Sequence, residues 1–224
     1  MCIIAIKPQG KKMFDDETLK TMFSRNPDGS GFMYYDNGTV VIKKGYMTLD
    51  ALKKALNRKD LTDTNVILHF RIGTSGYYDE LNCHPYPIYQ KNATVCRTDI
   101  GVAHNGILHD YTPPKQSDIN DTQVFIQTVL RRLKKGFQKD DDKLMLLAEL
   151  IGTNKLAFLD SDNQITLIGD FIEDNGYMFS NRSYEKPATP RKSWGYTKKS
   201  VSTSIFDDTD ETGFWADWDA RHTF

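Results

Sequence analysis

The sequence predicts an α+β fold in which β-sheets are covered by helices. Short runs of branched apolar residues recur along the chain between turn-forming residues, a pattern typical of buried strands. Other segments carry apolar residues at helical spacing. Strands dominate at both ends of the folded part, and the longest helical segments lie between them. We therefore expect layered sheets with a helical cover.

The first part of the chain contains four predicted strands and two predicted helices. Residues 3–6 are uniformly apolar and mostly branched, as in a buried strand. Asp15 or Asp16 can cap a helix that follows. Asp36-Asn37-Gly38 is a strong hairpin signal. The predicted strands cover residues 3–6, 32–35, 39–43 and 66–70, and the predicted helices cover residues 15–23 and 49–57.

The second part is predicted to contain two further helices framed by strands. Residues 122–135 keep helical spacing of apolar side chains. Residues 143–150 form a helix apolar enough to be packed on both sides. The predicted strands cover residues 100–104, 155–160, 164–168 and 177–180.

A change in composition near Tyr184 predicts two regions. We expect a folded domain over residues 1–185. Residues 186–224 contain prolines, lysines, serines and an acidic aromatic end without periodicity, so they are predicted to be a flexible tail. Trp215 and Trp218 could dock this tail on the domain or on a partner.

Composition excludes several classes of function. The 224 residues carry a formal net charge of −1, so no basic excess favours nucleic-acid binding. No apolar run reaches the ~20 residues of a membrane helix, and no signal-peptide pattern is present. We expect a cytoplasmic protein without a membrane partner.

Cysteine and histidine spacing indicates neither a disulfide framework nor a metal site. The three cysteines are few and odd in number. Four of the histidines, His69, His84, His104 and His109, are spread along the chain without a metal-binding motif. We expect Cys83 and Cys96 to be structural and His104 to have a packing role. No metal or other cofactor is predicted.

Cys2 is a candidate nucleophile because of its position. Its short side chain favours removal of Met1 by a methionine aminopeptidase. One residue would then carry a thiol and a free α-amine, a nucleophile with its own base. The alternative is a small buried apolar residue, which free cysteine often is.

Three further segments concentrate unusual residues: HFRIGTSG at 69–76, AHNGIL at 103–108 and NDTQVF at 120–125. Each has a simpler interpretation when taken singly. Arg71 could be a surface charge, Asn105-Gly106 a plain turn, and Asp121 a helix cap.

Together these segments supply the groups needed to attack an amide. A tetrahedral oxyanion needs fixed donors, which the Asn105 amide and the Gly106 N–H can provide. An amino-acid substrate carries a carboxylate, which suits Arg71. It also carries an ammonium group, which suits Asp121.

The order of these motifs resembles the class II glutamine amidotransferases, which are N-terminal-nucleophile hydrolases. The similar segments are Cys2, H-x-R-x-G-T-x-G from His69, N-x-H-P from Asn82, H-N-G from His104 and D-T-Q-V from Asp121, with NPDGSGF at 26–32 and FSN at 179–181. The family usually begins Cys-Gly, whereas this chain has Cys2-Ile3.

The resemblance implies a four-layer αββα sandwich of two antiparallel sheets. It implies that Cys2 attacks the side-chain amide of glutamine, forms a γ-glutamyl thioester and releases ammonia. Asn105 and Gly106 would form the oxyanion hole. Arg71 and Asp121 would bind the α-carboxylate and α-amine, and Thr74, Gly76 and His84 would shape the pocket.

Three interpretations of function remain open at this point. The first is a glutaminase-type hydrolase that hydrolyses glutamine alone or supplies ammonia to a separate acceptor-enzyme subunit. The second is an N-terminal-cysteine hydrolase of another amide or γ-glutamyl substrate. The third is an inactive interaction protein that binds partners through its tail. We also expect residues 73–80 to form a mobile lid.

Overall fold

The computed structural model describes residues 2–58, 61–73 and 76–186. Four α-helices occur within them: α1 (Asp16–Arg25), α2 (Leu49–Leu56), α3 (Asp121–Thr128) and α4 (Asp141–Ile151). The strands are β1 (Ile3–Lys7), β2 (Ser30–Asp36), β3 (Thr39–Tyr46), β4 (Val66–Phe70), β5 (Tyr86–Pro87), β6 (Val95–Thr98), β7 (Ile100–Asn105), β8 (Lys155–Asp160), β9 (Ile165–Ile168), β10 (Ile172–Asp174) and β11 (Tyr177–Phe179).

These strands form two antiparallel sheets. The larger sheet has the order β10-β11-β1-β4-β2-β3-β6, and the smaller has the order β5-β7-β8-β9. In the large sheet, β1 lies between β4 and β11, and Ile3 pairs with Phe70. The first strand of the chain is therefore an interior strand of the sheet. Cys2, the residue that precedes β1, consequently lies at the end of an interior strand and not at the sheet edge.

Three apolar cores separate four layers. One core joins α1 and α2 to the large sheet, through residues such as Leu19, Leu52 and Ile3. A second core lies between the sheets and includes Ile4 and Ile6 of β1. The third packs the small sheet against α3 and α4. The predicted αββα sandwich is therefore confirmed.

Side-chain alternation along β1 explains how this strand serves two cores. Ile3 and Ala5 face the helices, whereas Ile4 and Ile6 face the second sheet. Ile3 is consequently committed to the outer core. The Ile3 side chain, which the usual Cys-Gly lacks, is therefore buried in the core between the large sheet and the helices α1 and α2.

Local signals placed several elements correctly. Asp15 caps α1 through the Thr18 N–H at 2.7 Å, as the sequence predicted. Asn37 and Gly38 both have positive φ in the β2–β3 turn. The strand Val66–Phe70 has the predicted limits.

The prediction of one helix over residues 122–135 was wrong. The helix α3 ends at Thr128, and a short 3-10 turn, Leu130–Arg132, follows. Thr128 and Val129 are both β-branched, which weakens helix propagation. The break also lets Leu130 reach the core beneath the small sheet.

The expectation that α4 is packed on both sides was also wrong. Leu147 and Ile151 face the core. Met145 and Leu146 are 67% and 69% exposed on the opposite face. The sequence also did not predict three short strands, β5, β6 and β10. Of these, β6 pairs with the distant β3, whereas β10 pairs with the adjacent β11.

The predicted tail lies outside the described residues from position 187 onward, so the domain boundary stays a prediction. In the part of the chain that the structure describes, no helix is long and apolar enough to cross a membrane.

Candidate active site

A narrow cleft lies where β1 begins, β4 and β7 end and α3 begins. It encloses about 20 Å³. Its lining contains five residues singled out from the sequence together with their neighbours: Cys2, Arg71, Ile72, His84, His104, Gly106, Asn120, Asp121 and Thr122. Segments far apart in sequence therefore converge at one place.

The thiol of Cys2 is held by the backbone of Ile72. The Ile72 N–H donates to Sγ at 3.3 Å, and the thiol donates to the Ile72 carbonyl at 3.4 Å. Asn181 Nδ2 donates to the Cys2 carbonyl at 2.7 Å. Burial raises the pKa of the Cys2 thiol, and the Ile72 N–H and the positive charge of Arg71 oppose that rise.

Arg71 follows the last residue of β4 and is only 3% exposed. Its N–H donates to the Gly29 carbonyl at 2.8 Å, and its carbonyl accepts from the Asp28 N–H at 2.9 Å. Gly73 lies directly over the guanidinium group, since a Cβ added there would be 3.3 Å from an Arg71 nitrogen. The surface-charge interpretation of Arg71 is therefore wrong.

Asp121 is the first residue of α3 and is 5% exposed. The cap of this helix is Asn120, whose Oδ1 accepts from the Gln123 N–H at 3.0 Å. Asp121 Oδ2 instead accepts from the Leu108 N–H at 2.8 Å. Asp121 thus lines the cleft, and its carboxylate is hydrogen-bonded to the loop that follows β7.

Gly106 lines the cleft and has a φ of +142°, a conformation that favours glycine. Asn105 is buried beside it. Its Nδ2 donates to Ser180 Oγ at 2.8 Å, and its Oδ1 has no hydrogen-bond partner among the described residues. Asn105 is not one of the described residues that line the cleft. Gly106 is therefore better placed than Asn105 to donate to an oxyanion formed there.

Three buried histidines lie close together at the cleft, and His84 and His104 belong to its lining. His69 Nε2 donates to the His104 carbonyl at 3.0 Å, and His84 Nδ1 accepts from the His104 N–H at 3.2 Å. The rings of His69 and His84 stack with centroids 4.2 Å apart. These partners place the proton of neutral His84 on Nε2.

Burial keeps these histidines neutral. It lowers the pKa of His69 to about 3 and the pKa of His84 well below its ordinary value. Burial also lowers the pKa of His104, against the opposing charge of Asp121. His104 therefore packs as predicted, although it also lines the cleft.

Of the other predicted pocket residues, only Gly76 belongs to the described part of the chain. Thr74 lies outside the described residues. Gly76 has a φ of +72° and lies against Asn82 and the lining residue Asn120, since an added Cβ would be 2.8 Å from Asn82 Oδ1 and 3.2 Å from Asn120 Cβ. The predicted lid is described only in part, and in that part Tyr77 and Tyr78 are exposed.

Sequence reasoning did not assign roles to Ser180, Asn181 or Asn154. Ser180 Oγ accepts from the Ile4 N–H at 2.9 Å and from Asn105, so it joins the two sheets. The FSN motif contained the first two of these residues. No sequence signal indicated Asn154.

Cys83 and Cys96 lie outside the cleft lining. Cys83 is buried beside Met47, and Cys96 lies on β6 at the edge of the large sheet. Burial raises the pKa of the Cys83 thiol to about 11. Among the described residues no group of three or more histidine, cysteine or acidic side chains could hold a metal ion.

A larger second cleft of about 310 Å³ lies at the other end of the small sheet. Its lining includes Tyr89, Asp99, Lys135, Lys139 and Asp162. Lys135 pairs with Asp99 at 2.5 Å, and Lys139 pairs with Asp162. These ion pairs are exposed. The described lining contains no nucleophilic thiol.

Comparison with known proteins identifies the family of this chain. Residues 14–157 match the family described as "Glutamine amidotransferases class-II". The chain is 30% identical over 156 residues to the glutamine–fructose-6-phosphate aminotransferase of Pyrococcus horikoshii, covering 66% of this chain and 25% of that protein. It is 31% identical over 110 residues to the same-named protein of Caldanaerobacter subterraneus, covering 49% of this chain and 17% of that protein.

A solved structure shares the fold. Glutamine phosphoribosylpyrophosphate amidotransferase from B. subtilis superposes with a TM-score of 0.50 at 15% identity, covering 80% of this chain and 41% of that chain. The chain spans about a quarter of the length of the first curated relatives it matches. Since the family match covers more than half of the chain, this protein belongs to the class II glutamine amidotransferases.

Proposed function

We propose that Cys2, after removal of Met1, releases ammonia from the side chain of glutamine through a γ-glutamyl thioester. The observation that carries this proposal is the convergence of Cys2, Arg71, Gly106 and Asp121 on one cleft.

The thiol needs a base, because burial raises its pKa. The α-amine of Cys2 is attached to the same residue and has an ordinary pKa of about 7.7–8.0, close to the working pH. It accepts the thiol proton as sulfur bonds to the amide carbon. It then returns the proton to the departing nitrogen, so that ammonia leaves as the C–N bond breaks. Water subsequently cleaves the thioester, giving glutamate and the free thiol.

The oxyanion formed in this attack is stabilised by donors at the end of β7. Gly106 lines the cleft and carries a backbone N–H. Asn105 Nδ2 has two hydrogens, of which Ser180 Oγ accepts one. The second can serve the oxyanion if the side chain turns towards the cleft. Donors of this kind act most strongly on charge that develops in the transition state.

Two opposite charges fit the ends of a free amino acid. The buried Arg71 guanidinium suits the α-carboxylate, and the Asp121 carboxylate suits the α-ammonium. Neutral His84 offers its Nε2–H as a further donor to the substrate. This pairing favours glutamine over an amide that lacks both charges.

The destination of the ammonia is a separate proposal. The matched relatives named glutamine–fructose-6-phosphate aminotransferases are about four times the length of the matched segment. We propose that an acceptor enzyme on another subunit consumes the ammonia made here. Hydrolysis of glutamine without an acceptor is the simpler outcome and is measured first.

Intact mass spectrometry tests the nucleophile and the pocket together. The purified protein is incubated with a glutamine analogue that carries an electrophilic diazoketone. We expect a species without Met1 that gains one adduct, mapped to Cys2. Cys83→Ala should label normally and Cys2→Ala should not. A wild-type protein that retains Met1 and takes no label would contradict the proposal and favour the interaction-protein interpretation.

A further inference from the structure

We propose that Asn154 is a positioning residue that fixes the direction of the Gly106 N–H. The inference rests on the proposed function, because it concerns the oxyanion hole of that reaction. Asn154 lies in the connection between α4 and β8, far in sequence from every motif that defines the site.

The side chain of Asn154 has one orientation set by its partners. Its Nδ2 donates to the Ile151 carbonyl at 2.7 Å. Because a carbonyl oxygen can only accept a hydrogen bond, the atom that faces it must be the amide nitrogen. Its Oδ1 therefore faces the end of β7 and lies 3.0 Å from His104 Nε2. Because this oxygen can only accept, His104 carries its proton on Nε2.

This assignment extends a chain of hydrogen bonds across the back of the cleft. With the proton on Nε2, His104 Nδ1 accepts from the Thr122 hydroxyl at 2.8 Å. Thr122 belongs to α3, next to Asp121. Asn154 thus connects the residue before Asn105-Gly106 to the helix that carries the other side of the cleft.

Asn154 also lies directly against Gly106. A Cβ added to Gly106 would be 1.8 Å from Asn154 Oδ1 and 2.6 Å from Asn154 Cγ. Glycine is the residue with the most backbone freedom, so an unsupported Gly106 would sample several directions. The Asn154 side chain occupies the space behind it and restricts that freedom.

A restricted Gly106 N–H matters mainly in the transition state. Donors aimed in advance at the oxyanion lower the barrier, whereas substrate binding depends on Arg71 and Asp121. Loss of Asn154 should therefore lower kcat and leave KM for glutamine nearly unchanged. A general loss of packing would not produce this separation.

The experiment measures glutamine hydrolysis by Asn154→Ala with Asn163→Ala as the matched control. Asn163 lies beyond the opposite end of β8 and is also hydrogen-bonded, since its Oδ1 accepts from the Asn65 N–H at 3.1 Å. We expect kcat of Asn154→Ala to fall about tenfold, with KM within about twofold of wild type. Asn163→Ala should retain wild-type kcat.

A second variant guards against loss of folding. Asn154→Asp keeps the shape and the acceptor facing His104, but it loses the donor to the Ile151 carbonyl and places a negative charge near the oxyanion, so its kcat should fall at least as far. Labelling of Cys2 by the diazoketone reports whether each variant retains its pocket.

The outcomes separate the two proposals. Unlabelled wild-type protein overturns the proposed function and this inference with it. Labelled wild type with unchanged kcat in both Asn154 variants overturns only the role of Asn154. Equal losses in Asn154→Ala and Asn163→Ala, or a rise in KM alone, would also reject it.

Discussion

The two clefts described above differ in how their polar groups are held. In the candidate active site, the polar side chains of Arg71, His84 and Asp121 are almost fully buried. In the larger cleft, the exposed Lys135 pairs with Asp99 and the exposed Lys139 pairs with Asp162. The smaller cleft is the one that contains a thiol.

The difference shows that cavity volume is a poor guide to function here. Exposed ion pairs contribute little, because water screens them and long side chains lose freedom on pairing. Buried groups must be paired or hydrogen-bonded, and their geometry is then fixed. Fixed geometry is what a reaction on a small amide requires.

The largest expected effect comes from removing the thiol. Cys2→Ala should lower glutamine hydrolysis by at least about a thousandfold, because no other described residue of the cleft can form a thioester. Ammonia release from glutamine is the measurement. Cys96→Ala, at the sheet edge, is the control and should retain activity. Substantial activity in Cys2→Ala would exclude the proposed nucleophile.

Removing one charge of the substrate clamp should have the next largest effect. Asp121→Asn keeps an acceptor for the Leu108 N–H but loses the negative charge facing the α-ammonium group. KM for glutamine should rise about 10- to 100-fold, the usual loss for a hydrogen bond to a charged group.

Asp99→Asn makes the same chemical change in the larger cleft. Steady-state kinetics of both variants should show the rise in KM only for Asp121→Asn. Equal KM values would show that Asp121 does not bind substrate.

The buried histidines should make stability depend on pH. The pKa of His69 is about 3 in the folded chain and about 6.5 when unfolded, so the unfolded chain binds more protons between those values. Stability is thus complete above about pH 6.5 and is lost as the pH falls towards 3. Each such histidine contributes up to about 1.4 kcal/mol per pH unit in that range.

Urea unfolding between pH 7.5 and 5.5 tests this expectation, because the carboxylates stay ionised over that interval. The free energy of unfolding should be constant near pH 7.5 and should decrease below pH 6.5. A flat profile would show that the histidine stack tolerates charge.

The smallest effect is expected in the larger cleft. Lys135→Met removes the exposed partner of Asp99 and should leave both kcat and the melting temperature unchanged. Kinetics and thermal unfolding at low and high salt provide the check. A clear loss of activity would mean that this cleft takes part in the reaction.

Much of the fold was predictable because its signals are local. The apolar run of β1, the Asp15 cap and the Asn37-Gly38 turn each act over a few residues. The break after Thr128 and the exposed face of α4 were not predictable. Both depend on which side chains the neighbouring layer has room to bury.

The sequence by itself determined the chemistry of the site. It supplied the thiol of Cys2, the two charges of Arg71 and Asp121 and the glycine at 106. A cysteine is a potential nucleophile, arginine and aspartate are charged, and glycine has a flexible backbone wherever these residues lie in a fold.

Only the tertiary structure decided which partners surround these groups. It turned the Asn105 amide towards Ser180, gave the cap of α3 to Asn120 and placed Asn154 behind Gly106. The contacts of Asn105 with Ser180 and of Asn154 with Gly106 join segments separated by many residues. The cap of α3 was a choice between the adjacent residues Asn120 and Asp121. Hydrogen bonds and close packing form between atoms that meet in space, and those meetings are set by how two sheets and their helices stack.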